Sequence, residues 1–471
     1  MNGILTQKNG FSLDYSKMLG FGRLRQTDFV EVGGKMVPAH AAVCKLRETG
    51  HIKTGELVLF PTLPYVKEGN LNTPESIADI IDYADSLRGN THAVVSIGIG
   101  GSYLGARVLV ESLLDTYWNS LSDEERQGRP RIYFSGNNLD AEALDSLVKQ
   151  LLSQAKTQGG GYKVNLIVVS KSGTTLENAA SFMTMYTRLH EHKNLIDIDM
   201  TVVTQPSPEG KNPLEQLAKE QGWKTFRVPE GVGGRFCVFS DAGLLIGAIA
   251  GLNIHDLLRG AKAMQEECSS GDPRENAALL AATVKYIARE KYGKCIEVFM
   301  PYSEKLKALA EWYVQLLAES LGKKYDLNGN IVHYSRTPLV AVGSTDMHAQ
   351  TQEHQEGMNN KILQFIRIEQ PKVDVVVPEA FVQAEFFGQF AGLSFNAIND
   401  MALKANADAL DSEGRFSMVV NLPVLNEYYL GALMYFCMLS IAYEAELAGI
   451  NAFDQPGVEV YKRFLREQMR K

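Results

Sequence analysis

Two loops rich in glycine and hydroxyl residues each follow an apolar strand pattern and precede a helical one. The first covers residues 98–105 and contains Gly101 and Ser102. The second covers residues 170–177 and contains Ser170, Lys171, Ser172, Thr174 and Thr175. Such loops expose backbone N–H groups and hydroxyls at a helix N-terminus, where the helix dipole favours an anion. With Lys171 between the hydroxyls, the pair of loops predicts a site for a small phosphorylated ligand.

Each loop also has an explanation that needs no ligand. A dinucleotide site of the G-x-G-x-x-G type is excluded for the first loop, because Tyr103 stands where a glycine is required and no acidic residue closes the next strand. Tight-turn scaffolding and ligand contact both remain open for it. In the second loop, Thr174 and Glu177 have the spacing of a capping box, which would stabilise a helix start without binding anything. Capping would leave the other hydroxyls and the lysine unexplained.

Arg235 and Glu319 are charged residues that each allow two interpretations. Arg235 lies in a turn with three glycines, residues 231–236. It is either solvated on a flexible loop or directed at a ligand that the glycines allow to approach closely. Gln315 and Glu319 are four apart on a predicted helix, so they share one flank, away from its apolar stripe. Glu319 is either an exposed glutamate or part of a site.

His348 follows a predicted strand and the turn at residues 343–345, which predicts a position in the first turn of a helix. There it is either a capped surface histidine or a functional group. His348 and His354 are six apart and cannot share one helical face as metal ligands. The sequence therefore predicts no metal site.

The last segment of the chain combines an apolar stripe with a lysine. Pro456 is predicted to lie in the first turn of a helix that buries Val458, Tyr461, Leu465 and Met469. Lys462 falls within the same apolar sector, so it either extends its ammonium group to the surface or is desolvated beside a site. Gln455 lies seven positions earlier, two turns up the same side.

Alternating strand and helix patterns surround these residues and predict two α/β halves. Apolar strands at 93–97, 131–135, 165–169 and 199–203 are separated by helical patterns, as in right-handed βαβ crossings of a mainly parallel sheet. A second set has strands at 295–300, 339–342 and 363–368. Its helices are predicted at 275–291, 303–321, 378–404 and 427–447.

Composition limits the classes of protein that the chain can belong to. Its 471 residues are too many for one ordinary core, and 45% hydrophobic with 22% charged residues is typical of a globular protein. A formal charge of −8 without a basic run argues against nucleic-acid binding. Five scattered cysteines, and a start without a secretory signal pattern, predict the cytoplasm. The uncharged run between Glu427 and Glu444 is too short to span a bilayer and is interpreted as a core helix, so no membrane contact is expected.

Taken together, these motifs resemble the glucose-6-phosphate isomerase (phosphoglucose isomerase) family in its compact bacterial-type form. The resemblance is carried in order by both hydroxyl-rich loops, Gly-Gly-Arg-Phe at 233–236, Glu-Ser-Leu-Gly-Lys at 319–323, His348 and the Asp-Gln-x-Gly-Val-Glu-x-x-Lys ending at 454–462. One departure is Cys237, where the family usually has a small hydroxyl residue after Arg-Phe.

The resemblance implies two doubly wound sugar-isomerase (SIS-type) domains, with mainly parallel sheets flanked by helices and a C-terminal helix that completes the site. The implied boundaries are a smaller domain at 70–235, a larger domain at 1–69 plus 236–447, and a C-terminal helical segment at 448–471. The family also implies no cofactor, and a homodimer in which His348 reaches into the neighbouring subunit's site.

The implied activity is the reversible conversion of glucose 6-phosphate to fructose 6-phosphate, in glycolysis and gluconeogenesis. By resemblance, His348 and Lys462 open the sugar ring, Glu319 moves a proton between C2 and C1, and Arg235 stabilises the enediolate. The phosphate would be bound by the two hydroxyl-rich loops, and the sugar hydroxyls by Gln315 and Gln455. A phosphosugar-sensing module and an aminosugar isomerase or amidotransferase half remain alternatives; a sensor would not need Glu319, His348 and Lys462.

Overall fold

Two units make up the chain in the computed structural model, which describes residues 3–207 and 209–469. Unit 1 combines Met1–Lys45 with Ala263–Lys471, and unit 2 is Leu46–Lys262. Each unit contains a mainly parallel sheet flanked by helices, so the predicted fold class is confirmed. The domain boundaries implied by the resemblance, at 70–235, 1–69 plus 236–447 and 448–471, stay a prediction.

Strands and helices alternate along most of the described chain. The strands are β1 (Ile4–Thr6), β2 (Ser12–Asp14), β3 (Ala93–Ile97), β4 (Arg131–Ser135), β5 (Tyr162–Ser170), β6 (Ile196–Thr204), β7 (Lys224–Arg227), β8 (Ile296–Pro301), β9 (Lys323–Tyr325), β10 (Ile331–Tyr334), β11 (Thr337–Val340), β12 (Lys361–Ile368) and β13 (Phe416–Leu422). The first helices are α1 (Gln26–Thr49), α2 (Pro74–Leu87), α3 (Leu104–Leu113), α4 (Ala141–Gln158), α5 (Leu176–His190), α6 (Pro213–Gln221), α7 (Asp241–Ile249) and α8 (Ile254–Glu267). The later helices are α9 (Ala277–Tyr292), α10 (Lys307–Leu321), α11 (Thr351–Glu356), α12 (Glu385–Gly388), α13 (Phe395–Ser412), α14 (Glu427–Ala448) and α15 (Pro456–Met469).

The sheet of unit 2 has the strand order β4-β3-β5-β6-β7, and all of its neighbouring strands pair in parallel. Apolar side chains of its central strands pack against helices α4, α5 and α6, through residues such as Leu151, Met185 and Leu214. Burial of the strand along its whole length agrees with the sequence of β3, which is apolar except for Ser96. Since the strands are parallel, the loops after β3 and β5 lie at the same edge of the sheet.

The sheet of unit 1 has the order β1-β2-β13-β12-β8-β11. Strands β13, β12, β8 and β11 are parallel, and the β1–β2 hairpin adds two antiparallel strands at one edge. Helix α14 is long and apolar enough to cross a membrane, but 94% of its apolar window is buried inside the protein. It packs against α9 and α10, so the predicted core helix is confirmed.

The predicted helix at 378–404 is wrong in its first half. The structure has only the single turn α12 there, and α13 begins at Phe395. Gly392 has a φ of +82°, and the Ser394 side chain accepts a hydrogen bond from the backbone N–H of Ala397. A glycine in the left-handed region followed by a hydroxyl cap is a helix start, so the periodic pattern before it belongs to an irregular segment.

Candidate active site

Three loops of unit 2 meet at the carboxyl edge of its sheet. They are the glycine loop (residues 98–105) after β3, the serine loop (residues 170–175) after β5, and the arginine loop (residues 231–237). A Cβ atom added to Gly101 would lie 2.1 Å from the carbonyl carbon of Gly234, so these two loops touch backbone to backbone. The Lys171 ammonium donates a hydrogen bond to the carbonyl of Val232 at 2.9 Å and so joins the serine loop to the arginine loop. The two predicted loops therefore share one site with Arg235.

The hydroxyl groups of the serine loop do not cap α5. That helix begins at Leu176, and Thr175 at its N-cap makes no side-chain capping bond, so the capping-box interpretation is wrong. The Thr174 hydroxyl instead donates to the Ser172 hydroxyl at 3.0 Å, and the Ser170 hydroxyl donates to that of Thr175 at 3.4 Å. The loop thus holds four hydroxyls beside a helix N-terminus, where an anion is favoured.

Lys171 and Cys237 give this site its local electrostatics. Burial lowers the pKa of Lys171, and the nearby Glu230 and Glu56 carboxyl groups oppose that change. Burial raises the pKa of the Cys237 thiol to about 12, so the thiol is neutral at physiological pH. The Cys237 Sγ donates to the carbonyl of Gly101 at 3.2 Å, which replaces the hydrogen bond that a hydroxyl residue could make there. An incoming dianion would favour the charged form of Lys171.

Arg235 is buried rather than solvated. Its side chain is only 1% exposed, and its guanidinium carbon lies 5.4 Å from the centre of the Phe236 ring. The short 3-10 helix Gly234–Phe239 positions it directly after the glycines of the arginine loop. A buried guanidinium in a glycine-rich loop is a fixed positive charge, which can stabilise a negative charge that develops on a bound molecule.

Helix α10 in unit 1 carries Gln315 and Glu319 on one flank, as predicted. The Gln315 Nε2 donates to the Glu319 Oε1 at 3.0 Å, and both side chains are half-buried. Leu309, Tyr313 and Leu317 form the buried stripe of the helix. The Gln315 Oε1 is buried and accepts no hydrogen bond from the described residues. Glu319 is therefore held in place by its neighbour, while a carbonyl oxygen beside it is left for a hydroxyl donor.

Lys323, which was not among the predicted site residues, contacts the backbone of Glu319 and the segment next to Gln455. Its ammonium donates to the carbonyl of Glu319 at 2.7 Å and to the carbonyl of Asp454 at 2.6 Å. It also forms an ion pair with the Asp454 carboxylate at 3.2 Å, and its side chain is 5% exposed. This lysine ties the end of α10 to the segment that carries Gln455. The only signal in the sequence was its place in the 319–323 motif.

The predicted burial of the last helix is wrong. Helix α15 has no buried residue, and Tyr461 and Met469 are more than half exposed. Lys462 has a side chain that is 43% exposed and forms an ion pair with Glu459 at 3.0 Å. Of the two interpretations of Lys462, the structure therefore supports a solvent-accessible lysine and not a desolvated one. An apolar stripe on a helix does not by itself show that this face packs against the rest of the same chain.

His348 does not lie in the first turn of a helix. It follows the 3-10 helix Thr345–Met347 and donates its backbone N–H to the Thr345 carbonyl at 3.1 Å, while α11 begins only at Thr351. The pattern after β11 is therefore a tight turn with an exposed histidine. Among the described residues, no group of three His, Cys, Asp or Glu side chains could hold a metal ion.

Proteins of one family match nearly the whole chain. A family model described as Phosphoglucose isomerase matches residues 82–471. The glucose-6-phosphate isomerase of Carboxydothermus hydrogenoformans is 37% identical over 423 residues, which cover 90% of this chain and 86% of that protein. The glucose-6-phosphate isomerase of Alkaliphilus metalliredigens is 32% identical over 459 residues, which cover 97% of this chain and 94% of that protein.

Solved structures share the fold over a similar length. A hypothetical protein from Thermus thermophilus matches with a TM-score of 0.79 at 28% identity, covering 98% of this chain and 99% of that chain. A glucose-6-phosphate isomerase from Chlamydia trachomatis matches with a TM-score of 0.79 at 21% identity, covering 99% of this chain and 89% of that chain. At that identity the second likeness concerns the fold alone.

Proposed function

Because the chain belongs to the phosphoglucose isomerase family, we propose that it interconverts glucose 6-phosphate and fructose 6-phosphate. The meeting of the glycine, serine and arginine loops in unit 2 is the observation that carries this proposal. It offers hydroxyls, backbone N–H groups and the Lys171 ammonium for a phosphate, with the buried Arg235 beside them. The sugar is proposed from the activity for which the relatives are named, because the geometry of unit 2 does not specify it.

The phosphate group is bound by the glycine and serine loops. Their candidate ligands are backbone N–H groups and side-chain hydroxyls, with one ammonium: Gly101, Ser102, Ser170, Lys171, Ser172, Thr174 and Thr175. The hydroxyls of the serine loop bond to one another and not to the α5 backbone, so they can be redirected to phosphate oxygens. Each bond to an anion is stronger than a bond between neutral groups.

Proton transfer is carried out by Glu319. After His348 and Lys462 have moved a proton between the ring oxygen and the anomeric hydroxyl, the sugar is open. Glu319 then takes the proton from C2 and returns it to C1, and one carboxylate suffices because the two carbons are adjacent. The negative charge on the enediolate oxygens is stabilised by Arg235, while Gln315 and Gln455 orient sugar hydroxyls. No step needs a cofactor.

A coupled assay with purified protein tests the reaction directly. Glucose 6-phosphate is supplied and fructose 6-phosphate is measured, and the reverse direction is followed with a glucose-6-phosphate dehydrogenase. Both directions are expected to proceed without an amine donor or an added metal. If neither sugar phosphate is converted while one binds, a sensing module is the better assignment. Conversion only with an amine donor would favour an aminosugar enzyme.

Lys171→Met removes the ammonium group from the proposed phosphate site. We expect KM to rise by roughly tenfold to a hundredfold, because a hydrogen bond to a charged group contributes about 1.5–3 kcal/mol. Inorganic phosphate should lose inhibitory strength by a similar factor. Lys211→Met is the matched control, since Lys211 is 78% exposed in the same unit. An unchanged KM in the Lys171 variant would remove this residue from the phosphate site.

Arg235→Ala should mainly reduce kcat. A preorganised positive group that stabilises a developing oxyanion contributes roughly 10²–10³-fold to kcat, so a fall of that size is expected with a smaller change in KM. Arg235→Lys keeps the charge and should recover part of the rate. Thermal unfolding of both variants checks that the buried position still folds. A loss confined to KM would contradict the enediolate role.

The active form is a homodimer in which His348 is shared across the interface. In support, residues 373–395 carry a run of exposed large apolar side chains, and His348 is itself exposed. A concentration of exposed apolar side chains in one segment favours an interaction site. Sedimentation should give twice the chain mass of 52.1 kDa, and a stable monomer with full activity would contradict the proposal.

The protein acts in the cytoplasm, in glycolysis and gluconeogenesis. The five cysteines all lie within the described residues and none forms a disulfide, which suits a reducing compartment. Fractionation of the source cells is the measurement that checks this location. Recovery of the activity outside the cells in a disulfide-bonded form would contradict it.

A further inference from the structure

The parallel parts of the two sheets share the same strand order around one point. In unit 2 the chain passes from β3 to β4 on one side and then to β5 on the other side of β3. In unit 1 it passes from β8 to β11 on one side and then to β12 on the other side of β8. Each sheet therefore has one point at which the strand order reverses, between β3 and β5 and between β8 and β12. Ligands of open parallel sheets bind at the carboxyl ends of the strands at this point.

The reversal point of unit 2 carries the glycine and serine loops, and the equivalent point of unit 1 holds a cleft. This cleft has a volume of about 210 Å³. Tyr302 and Ser303 line it directly after β8, and Arg367 lines it at the end of β12. Asn399 and Asp400, on the first turns of α13, also line it, and the remaining lining residues are Ile368, Pro371 and Asn396. The cleft of unit 1 and the glycine and serine loops of unit 2 therefore lie at the same topological position, each in its own sheet.

The cleft is separate from the proposed proton-transfer residue within the same unit. Ser303 precedes α10, and Glu319 lies near the opposite end of that helix. At 1.5 Å per residue, the 15-residue helix separates the two positions by about 22 Å. None of the residues assigned to the isomerase reaction lines the cleft. Its polar groups therefore need an explanation of their own.

Both hydrogen-bond donors and hydrogen-bond acceptors in the cleft are left available for a ligand. Arg367 and Asp400 form a bidentate ion pair, in which the Arg367 Nε donates to Oδ1 at 2.8 Å and its Nη2 donates to Oδ2 at 2.7 Å. The Nη1 of Arg367 donates to none of the described residues, and the hydroxyl of Ser303 makes no capping bond to the helix that follows it. The Asn399 Nδ2 donates to the Tyr302 carbonyl at 2.9 Å, which leaves the Asn399 Oδ1 as an acceptor.

The charge balance of the cleft disfavours an anion. Arg367 is already neutralised by Asp400, and Glu369 adds a further negative charge close enough to act on the guanidinium. The residues after β8 and after β12, at 302–305 and 369–372, contain no glycine, so the backbone cannot form the open loop that binds phosphate in unit 2. Donors and acceptors that lie side by side with their charges balanced match hydroxyl groups, which donate and accept at once.

We propose that this cleft of unit 1 is a second binding site, and that its ligand is a small uncharged polyol or monosaccharide. The carboxylate of Asp400 and the amide oxygen of Asn399 accept from ligand hydroxyls, and Ser303 and the Nη1 of Arg367 donate to them. A bound ligand would hold β8, β12 and the start of α13 together at the amino-terminal end of α10. The site is independent of the isomerase assignment.

D-Glucitol is the probe for this site, and saturation-transfer NMR on the full-length protein is the measurement. Wild-type protein should bind the polyol, and inorganic phosphate should not displace it. Asp400→Asn should weaken binding about tenfold or more, because a hydrogen bond to a charged acceptor contributes about 1.5–3 kcal/mol. Ser303→Ala tests the site with little risk to folding. Asp408→Asn is the matched control, because Asp408 lies on the same helix but pairs with Lys17 and Lys404 and does not line the cleft.

Glu319→Gln separates this proposal from the isomerase proposal, since it should leave glucitol binding unchanged whatever it does to turnover. Weakened binding in Glu319→Gln but not in Asp400→Asn would mean that the polyol occupies the reaction site, and would overturn the inference. Displacement by phosphate, or no detectable binding to the wild type, would overturn it as well.

Discussion

Glu319→Gln should abolish isomerisation while leaving phosphosugar binding nearly intact. The change removes the group that carries the proton but keeps the shape of the side chain and an oxygen for the Gln315 amide, 3.0 Å away. A general base contributes roughly 10²–10⁴-fold to the rate, so kcat should fall by at least about that factor. The specific readout is exchange of the C2 proton of the substrate with deuterated solvent, followed by NMR. This exchange should disappear together with turnover.

Glu311→Gln is the matched control for that experiment, because Glu311 lies on the same helix two turns earlier. It should leave both turnover and exchange close to the wild-type values. Binding is measured separately, by calorimetry with fructose 6-phosphate, so that a folding defect is not taken for a chemical one. Survival of C2 exchange in Glu319→Gln would assign the base to another residue.

The parallel strands were the part of the fold that the sequence predicted best. Strands β3 and β4 coincide with the predicted 93–97 and 131–135, because each has a centre of β-branched or aromatic residues next to turn residues. Helix α1 was not predicted, since Gly33, Gly34 and Pro38 all lie inside it. Burial of one face through residues such as Phe29 outweighs those local breakers. Tertiary packing of this kind cannot be read from a local pattern.

Some features of the candidate site could be predicted from local sequence, and others depend on contacts between distant parts of the chain. The serine loop and the Gln315–Glu319 flank follow from local spacing, and the structure has both. The burial of Arg235 does not follow from spacing, because it depends on the close approach of the glycine and arginine loops. The exposure of Lys462 was one of two interpretations that the sequence left open, because the apolar stripe of a helix does not show whether that face is buried. The prediction was limited by contacts between residues that are far apart in the sequence, because residue types and local spacing do not reveal them.

A fully buried ionic network in unit 1 was also absent from the sequence prediction. Arg336 donates from Nε to a Glu297 oxygen at 2.8 Å and from Nη2 to a Glu444 oxygen at 2.7 Å, and all three side chains are 0% exposed. Lys285 and Tyr313 bond to the other Glu297 oxygen at 2.5 and 2.8 Å. Since Tyr313 is on α10, the network also anchors the helix that carries the proposed base.

Burial alone would raise the pKa of Glu297, but the charges of Lys285 and Arg336 outweigh it and lower the pKa to about 2. A carboxyl group whose pKa is lower in the folded state stabilises the fold above its unfolded pKa, near 4.3 for Glu. That stability is lost as the pH falls from the unfolded value towards 2. The network should therefore contribute fully at neutral pH and progressively less in acid.

Arg336→Met is expected to be the most destabilising of the substitutions considered. Removing one partner of a buried ionic network leaves uncompensated charge and costs about 3–5 kcal/mol in the free energy of unfolding. The midpoint of thermal unfolding should fall, and amide hydrogen exchange should speed up in β8 and α10.

Arg274→Met is the control: it breaks an exposed pair with Asp272 and should cost at most about 1 kcal/mol in the free energy of unfolding. The difference between wild type and Arg336→Met should narrow as the pH falls from about 4.3 towards 2, because the low pKa of Glu297 depends partly on the charge of Arg336 and its stabilising effect is lost in that range. Equal destabilisation by the two substitutions, or a difference that does not depend on pH, would show that the charges of this network contribute little and that Arg336 acts through packing alone.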